Sequence, residues 1–153
     1  MKYHRQNYDI DKICPLWADY QAVQLITPGS TVLEIGCATD YIGKFLKEKR
    51  GCKMLAVEID KEAAELAKPY YEKIVVGDIE DEKTLEQLPA KFFDYILCMN
   101  VLEHLKEPEK VLVNLKKFLK SDGYLIAGIP NVAHWSIRFK LLLGNFDYGT
   151  IYI

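Results

Sequence analysis

The 153-residue chain has no apolar run near the roughly 18 to 20 residues a bilayer-spanning helix requires. Its first residues, Met1-Lys2-Tyr3-His4-Arg5-Gln6-Asn7, carry no apolar core of a secretory leader. Its four cysteines, Cys14, Cys37, Cys52 and Cys98, form no C-x-x-C pair. Such spacing argues against a zinc site and a disulfide framework, and reads as four reduced thiols in a soluble cytoplasmic protein. Excess charge is also missing. The formal net charge is -2, and the lysines alternate with glutamates on the expected helices, so a nucleic-acid-binding face is not indicated. No repeat, low-complexity tract or linker interrupts the chain, which is expected to form a single domain over residues 1–153.

What is present is an alternation of short apolar runs with segments of helical period. Thr31–Ile35 follows the turn signal Thr27-Pro28-Gly29-Ser30 and reads as a buried strand. Tyr41–Arg50 puts Ile42, Phe45 and Leu46 on one helical face and ends at Gly51. Lys53–Glu58 is the next strand, and Asp60 is suited to cap a helix over Lys61–Lys68. Further strands are expected at Ile74–Val76, Phe93–Met99 and Tyr124–Ile129. Helices are expected at Cys14–Ile26, Glu82–Leu88, Pro108–Lys120 and His134–Leu143. Strands apolar on both faces belong to a parallel sheet covered by helices on both sides. Right-handed crossovers make it a doubly wound α/β sheet, whose ligands sit at the carboxyl ends of the strands.

Those carboxyl ends carry the chemistry. The first strand runs into Glu34-Ile35-Gly36-Cys37-Ala38-Thr39-Asp40, the second into Glu58-Ile59-Asp60, the third into Gly77-Asp78-Ile79 and the fourth into Met99-Asn100. Gly36 lets the backbone turn and come close to a ligand. Glu58, about 20 residues beyond that turn, is the acid expected on the hydroxyls of a ribose. Asp78 lies one strand further out, toward an adenine. Each feature alone is a common surface turn; their succession along one edge predicts an adenosine site. A nicotinamide site would want G-x-G-x-x-G, and an aspartate beside its pyrophosphate would be repelled. S-adenosylmethionine has no phosphate and tolerates acids there.

In sequence, Val32-Leu33-Glu34-Ile35-Gly36-Cys37, Ala56-Val57-Glu58-Ile59-Asp60 and Val76-Gly77-Asp78-Ile79-Glu80 resemble the successive motifs of class I S-adenosylmethionine-dependent methyltransferases. Phe93-Asp94-Tyr95-Ile96 with Val101-Leu102-Glu103-His104-Leu105, then Leu119-Lys120-Ser121-Asp122-Gly123-Tyr124-Leu125, continue the resemblance, which runs from about Ile26 to Asn131. It implies a Rossmann-like sheet of order 3-2-1-4-5 and the cofactor S-adenosylmethionine, with S-adenosylhomocysteine as product. By the resemblance Glu34 and Gly36, Cys37 and Ala38 cradle the methionine part, Glu58 holds the ribose, Asp78 and Ile79 bind the adenine, Asn100 and Val101 line the methionine end, and Ile59 also belongs to the cofactor site. The family turn reads G-x-G-x-G, whereas Ala38 and Asp40 stand at its second and third glycines. Asp40 is able to attract the cofactor's ammonium or repel its carboxylate, and the residues leave both open.

The resemblance also implies two further strands that the chain does not supply, as a truncated gene product would not. Tyr124–Ile129 would then be a sheet edge, expected to be covered by a helix, the N-terminal segment or a second copy of the chain. The expected activity is in-line methyl transfer to a small-molecule acceptor. The alternative is an inactive or truncated relative that binds S-adenosylmethionine, S-adenosylhomocysteine or a protein partner. An NAD-dependent oxidoreductase lacks its glycine motif here. No catalytic residue is assigned. His104, Asn131 and His134 are the substrate-side candidates, with local capping or packing the simpler role for both histidines, and no metal is expected. Tyr3, Tyr8, Trp17 and Tyr20 would form a lid or an ordinary amphipathic helix on the sheet. Trp135, Arg138, Phe139 and Lys140 are expected to pack in the core rather than on a lipid surface.

Overall fold

Alternating burial along the strands determines the layers in the computed structural model, which describes residue 10 and residues 14–38, 41–131 and 133–144. In β1 (Thr31–Ile35), Val32 enters one apolar layer while Leu33 and Ile35 enter the other. β2 (Lys53–Glu58) divides Met54 and Ala56 from Leu55 and Val57 in the same way. β3 (Lys73–Val76), β4 (Phe93–Met99) and β5 (Leu119–Gly128) complete a five-stranded sheet of order β3-β2-β1-β4-β5, with every neighbouring pair parallel. This is the doubly wound topology expected from sequence, with the reversal of order between β1 and β4.

One layer is closed by α1 (Ala18–Gln24), α2 (Tyr41–Arg50) and the end of α3 (Lys61–Ala67), through Val23, Leu46 and Ala67. The other is closed by α4 (Glu82–Leu85) and α5 (Pro108–Leu115), through Leu85, Val111 and Leu115. α6 (Trp135–Leu142) follows the sheet. Asp60 caps α3 as expected: its Oδ1 accepts from the Glu62 and Ala63 amides at 2.8 and 3.2 Å. Cys37, Cys52 and Cys98 are buried thiols and Cys14 an exposed one.

Three expectations need correction. The helix foreseen over Cys14–Ile26 occupies only Ala18–Gln24: Cys14 and Trp17 close a turn around Pro15, and Trp17 is extended. The helix foreseen to Lys120 stops at Leu115, because the chain turns at Lys116–Phe118 and Leu119 pairs with Phe93. Ser121-Asp122-Gly123 therefore lies inside β5 rather than before it. Leu119 pairs with Phe93 and Tyr124 with Tyr95, so β5 accommodates three extra residues as an irregularity. Gly123 is needed there, since a Cβ would lie 2.9 Å from the Phe93 carbonyl oxygen. Finally, Trp135 and Phe139 are exposed, at 73% and 57%, rather than packed in the core. α6 follows the last strand, with Leu141 and Leu142 exposed as well. β5 is the sheet edge, with Tyr124 and Ile129 exposed, while α1 touches this strand.

Among the described residues, no helix is long and apolar enough to cross a membrane.

Candidate functional site

The parallel register brings four loop tips to one edge, and hydrogen bonds tie them together. Gly36 leaves β1 with φ +74°, its amide bonded to the Val57 carbonyl at 2.8 Å. A side chain at this position is excluded twice, by that φ and by Val101, whose Cγ2 would lie 2.8 Å from a Cβ. Val101 thus covers the turn from the β4 side. Ala38 also has a positive φ, 41°. Its amide donates to Glu58 Oε2 at 2.8 Å, across 20 residues of sequence.

Glu58 is the keystone of this edge. Its other oxygen accepts from the Asp60 amide at 2.9 Å, so one carboxylate braces both the glycine turn and the exit of β2. It is only 6% exposed, whereas its neighbour Ile59 is 69% exposed, an apolar side chain left at the lip of the edge. At the β3 exit Asp78 is exposed, and its Oδ1 accepts from the Glu80 amide at 2.9 Å. Ile79 points the other way and is core, 5% exposed. At the β4 exit Asn100 is exposed with φ +54°, its amide bonded to the Gly128 carbonyl at 2.8 Å.

The sequence-predicted residues therefore converge unevenly. Gly36, Ala38, Glu58 and Val101 form one contiguous group, to which Glu34 and Cys37 are joined through the chain. Both of these are buried, at 4% for each. Asp78 and Asn100 stand on the flanking tips. Asp40 lies outside the described residues, as do Tyr3 and Tyr8 of the foreseen lid, while Tyr20 packs against the core. His104 ends a short 3-10 turn over Leu102–His104 and is exposed. Asn131 closes the loop after β5: its side chain accepts from the Ala133 amide at 3.1 Å and its carbonyl from the His134 amide at 3.1 Å. The His134 ring lies 5.8 Å from that of Trp135.

Sequence alone did not reveal the ties behind this edge. The Tyr71 hydroxyl donates to Glu34 Oε2 at 2.7 Å, and the Tyr41 hydroxyl to Asp19 Oδ2 at 2.6 Å, fastening α1 to the start of α2. The Glu80 carboxylate accepts from the Lys106 and Glu107 amides, at 2.8 Å for the shorter contact, and joins the loops after β3 and β4. One signal was available: a glutamate inside an apolar strand requires a buried donor somewhere.

Electrostatically, burial pushes the Cys98 thiol up to about 12, with the Glu34 charge adding to the effect, so this thiol is not a nucleophile. Among the described residues no three His, Cys, Asp or Glu side chains are grouped to hold a metal. A cavity of about 260 Å³ lined by Thr27, Ser30, Asp94, Tyr95, Asp122 and Tyr124 lies at the amino ends of the strands, away from this edge.

The pattern of the family described as methionine biosynthesis protein MetW matches residues 17–146. A ubiquinone biosynthesis O-methyltransferase of Rickettsia typhi is 24% identical over 96% of the chain and 57% of the relative. That of Xanthomonas campestris is 26% identical over 76% of the chain and 50% of the relative. The chain thus spans about half the length of these curated relatives. An S-adenosylmethionine-dependent methyltransferase of Thermotoga maritima superposes with a TM-score of 0.63 at 26% identity, over 82% of this chain and 56% of that one. With the strand order, the turn after β1 and these likenesses in agreement, the chain belongs to the MetW family, on the fold of the class I S-adenosylmethionine-dependent methyltransferases.

Proposed function

We propose that the chain binds S-adenosylmethionine along the carboxyl edge of the sheet and transfers its methyl group to a small-molecule acceptor. The observation that carries this reading is the bond from the Ala38 amide to Glu58, which unites the glycine turn and the β2 acid in one rigid unit. The residues present fit the cofactor in three respects. Each Glu58 oxygen accepts one amide bond here and keeps a second lone pair for a ribose hydroxyl. Ile59 offers an exposed apolar surface beside that carboxylate, suited to the flat face of adenine. At Gly36 the missing Cβ lets Val101 close over the turn, which bounds the methionine end of the edge.

On this reading Glu58 holds the ribose, Ile59 and Asp78 flank the adenine, and Glu34, Gly36, Cys37, Ala38, Asn100 and Val101 surround the methionine part. Ile79 contributes through its backbone, since its side chain belongs to the core. When bound, S-adenosylmethionine supplies a methyl group on a sulfonium, open to in-line displacement. The chain's own contribution is then orientation and exclusion of water, with a base needed only for an acceptor that must lose a proton. His104, Asn131 and His134 follow the β4 and β5 exits and are the candidates to meet the acceptor.

The test is transfer itself. The protein is incubated with labelled S-adenosylmethionine and a panel of phenol, amine, thiol and carboxylate acceptors, and S-adenosylhomocysteine is measured. Acceptor-dependent product that disappears in Glu58→Ala supports methyl transfer. Tight cofactor binding without product on any acceptor favours the binding-only alternative.

A further inference from the structure

Glu34 is an anomaly of packing. It sits in the middle strand of the sheet, between Ala56 of β2 and Leu97 of β4, and is 4% exposed. A strand shaped only for stability would carry valine there, because a buried carboxylate loses its hydration and must recover it through hydrogen bonds. Gly43 is a second anomaly. It lies inside α2, where glycine weakens a helix relative to alanine.

Both anomalies meet at Tyr71. This side chain, 6% exposed, follows the 3-10 turn over Lys68–Tyr70 and donates its hydroxyl to Glu34 at 2.7 Å. A Cβ at Gly43 would collide with that hydroxyl and the ring carbons beside it. Two features that each cost stability therefore serve a single hydrogen bond, two residues ahead of the glycine turn. Local rules broken in concert mark a functional constraint better than a packing accident.

We infer that Tyr71 is a positioning residue: its hydroxyl fixes the Glu34 carboxylate for the ammonium of the cofactor's methionine part, and Gly43 is the gap that admits it. The inference rests on the carboxyl edge being the S-adenosylmethionine site. The ammonium is the chemical match for a buried carboxylate, and Glu58 on the neighbouring strand serves the ribose. Tyr71 belongs to no part of the glycine turn or the strand tips. Its hydroxyl reaches the site through Glu34.

The test uses calorimetry on the whole chain and Tyr71→Phe, with S-adenosylmethionine, S-adenosylhomocysteine and 5′-methylthioadenosine. The last keeps the adenosine and lacks the amino-acid part. Tyr71→Phe is expected to weaken the first two by about tenfold, the scale of one hydrogen bond to a charged group. Binding of 5′-methylthioadenosine should stay within about twofold, as expected for an independent subsite. Gly43→Ala, which displaces Tyr71 from the other side, should give the same split, and thermal melting verifies that both variants are folded. Equal weakening of all three ligands, or none, overturns the positioning role and leaves the cofactor reading intact. If the unaltered chain binds neither S-adenosylmethionine nor S-adenosylhomocysteine, the cofactor reading fails and takes this inference with it.

Discussion

The Ala38 amide and the Glu58 carboxylate meet at 2.8 Å, joining the loop after β1 to the end of β2. The bond makes the acid structural before any ligand arrives. It also fixes the distance between the two halves of the candidate site, which is the preorganisation a cofactor cradle needs.

Glu58→Gln should therefore affect stability and binding together. One amide oxygen survives, but the new NH2 faces a backbone N–H and leaves it without an acceptor. The expected cost is about 1–3 kcal/mol, the penalty of one buried unsatisfied group. Urea denaturation should read it as a lower midpoint with an unchanged slope. S-adenosylmethionine affinity should fall at least about tenfold with it.

Gly36→Ala and Gly51→Ala separate strain from crowding. Both glycines have positive φ, 74° and 64°, so each substitution incurs about 1–2 kcal/mol of left-handed backbone strain. Only Gly36 also faces a neighbour, Val101; nothing lies within 4 Å of a Cβ at Gly51. Gly51→Ala is expected to lower the melting temperature and keep cofactor affinity. Gly36→Ala should lower both.

How far the sequence exposed these relationships depended on their range. β1, β2, β4 and α2 have the bounds foreseen, because glycine or polar turns cut each apolar run cleanly. Where two periods overlapped, as at Phe118 and Leu119, the helical pattern was misleading and pairing with Phe93 decided. Glu58 was found by spacing. That its carboxylate holds the Ala38 amide, and that Tyr71 and Tyr41 hold acids 37 and 22 residues away, required the fold. A tyrosine before a strand or at a helix start looks like packing until its hydroxyl has a partner.

Thiol accessibility gives an independent check of the layers. Cys14 is exposed, while Cys37, Cys52 and Cys98 are buried. A colorimetric disulfide reagent should label one thiol quickly in the native protein and the other three only on unfolding. Fast labelling of two or more would contradict the packing around β1, β2 and β4.

Cys98 also makes a pH prediction. Burial, with the Glu34 charge beside it, raises its pKa from 9.0 to about 12 in the folded chain. Below about pH 9 both states hold the proton and the shift has no effect. Between the two values the unfolded chain loses it while the folded chain keeps it, so stability falls as pH rises, by up to about 1.4 kcal/mol per pH unit from this group. In Cys98→Ala that part of the alkaline slope should vanish. Denaturation midpoints at pH 8, 9 and 10 for both chains, with the differences compared, measure it.

The central claim is met most directly by calorimetric titration of the unaltered chain with S-adenosylmethionine, S-adenosylhomocysteine and NAD. The account predicts binding of the first two at micromolar concentration and none of NAD, with both signals lost in Glu58→Ala. No heat from either at millimolar ligand, or binding of NAD alone, would contradict it.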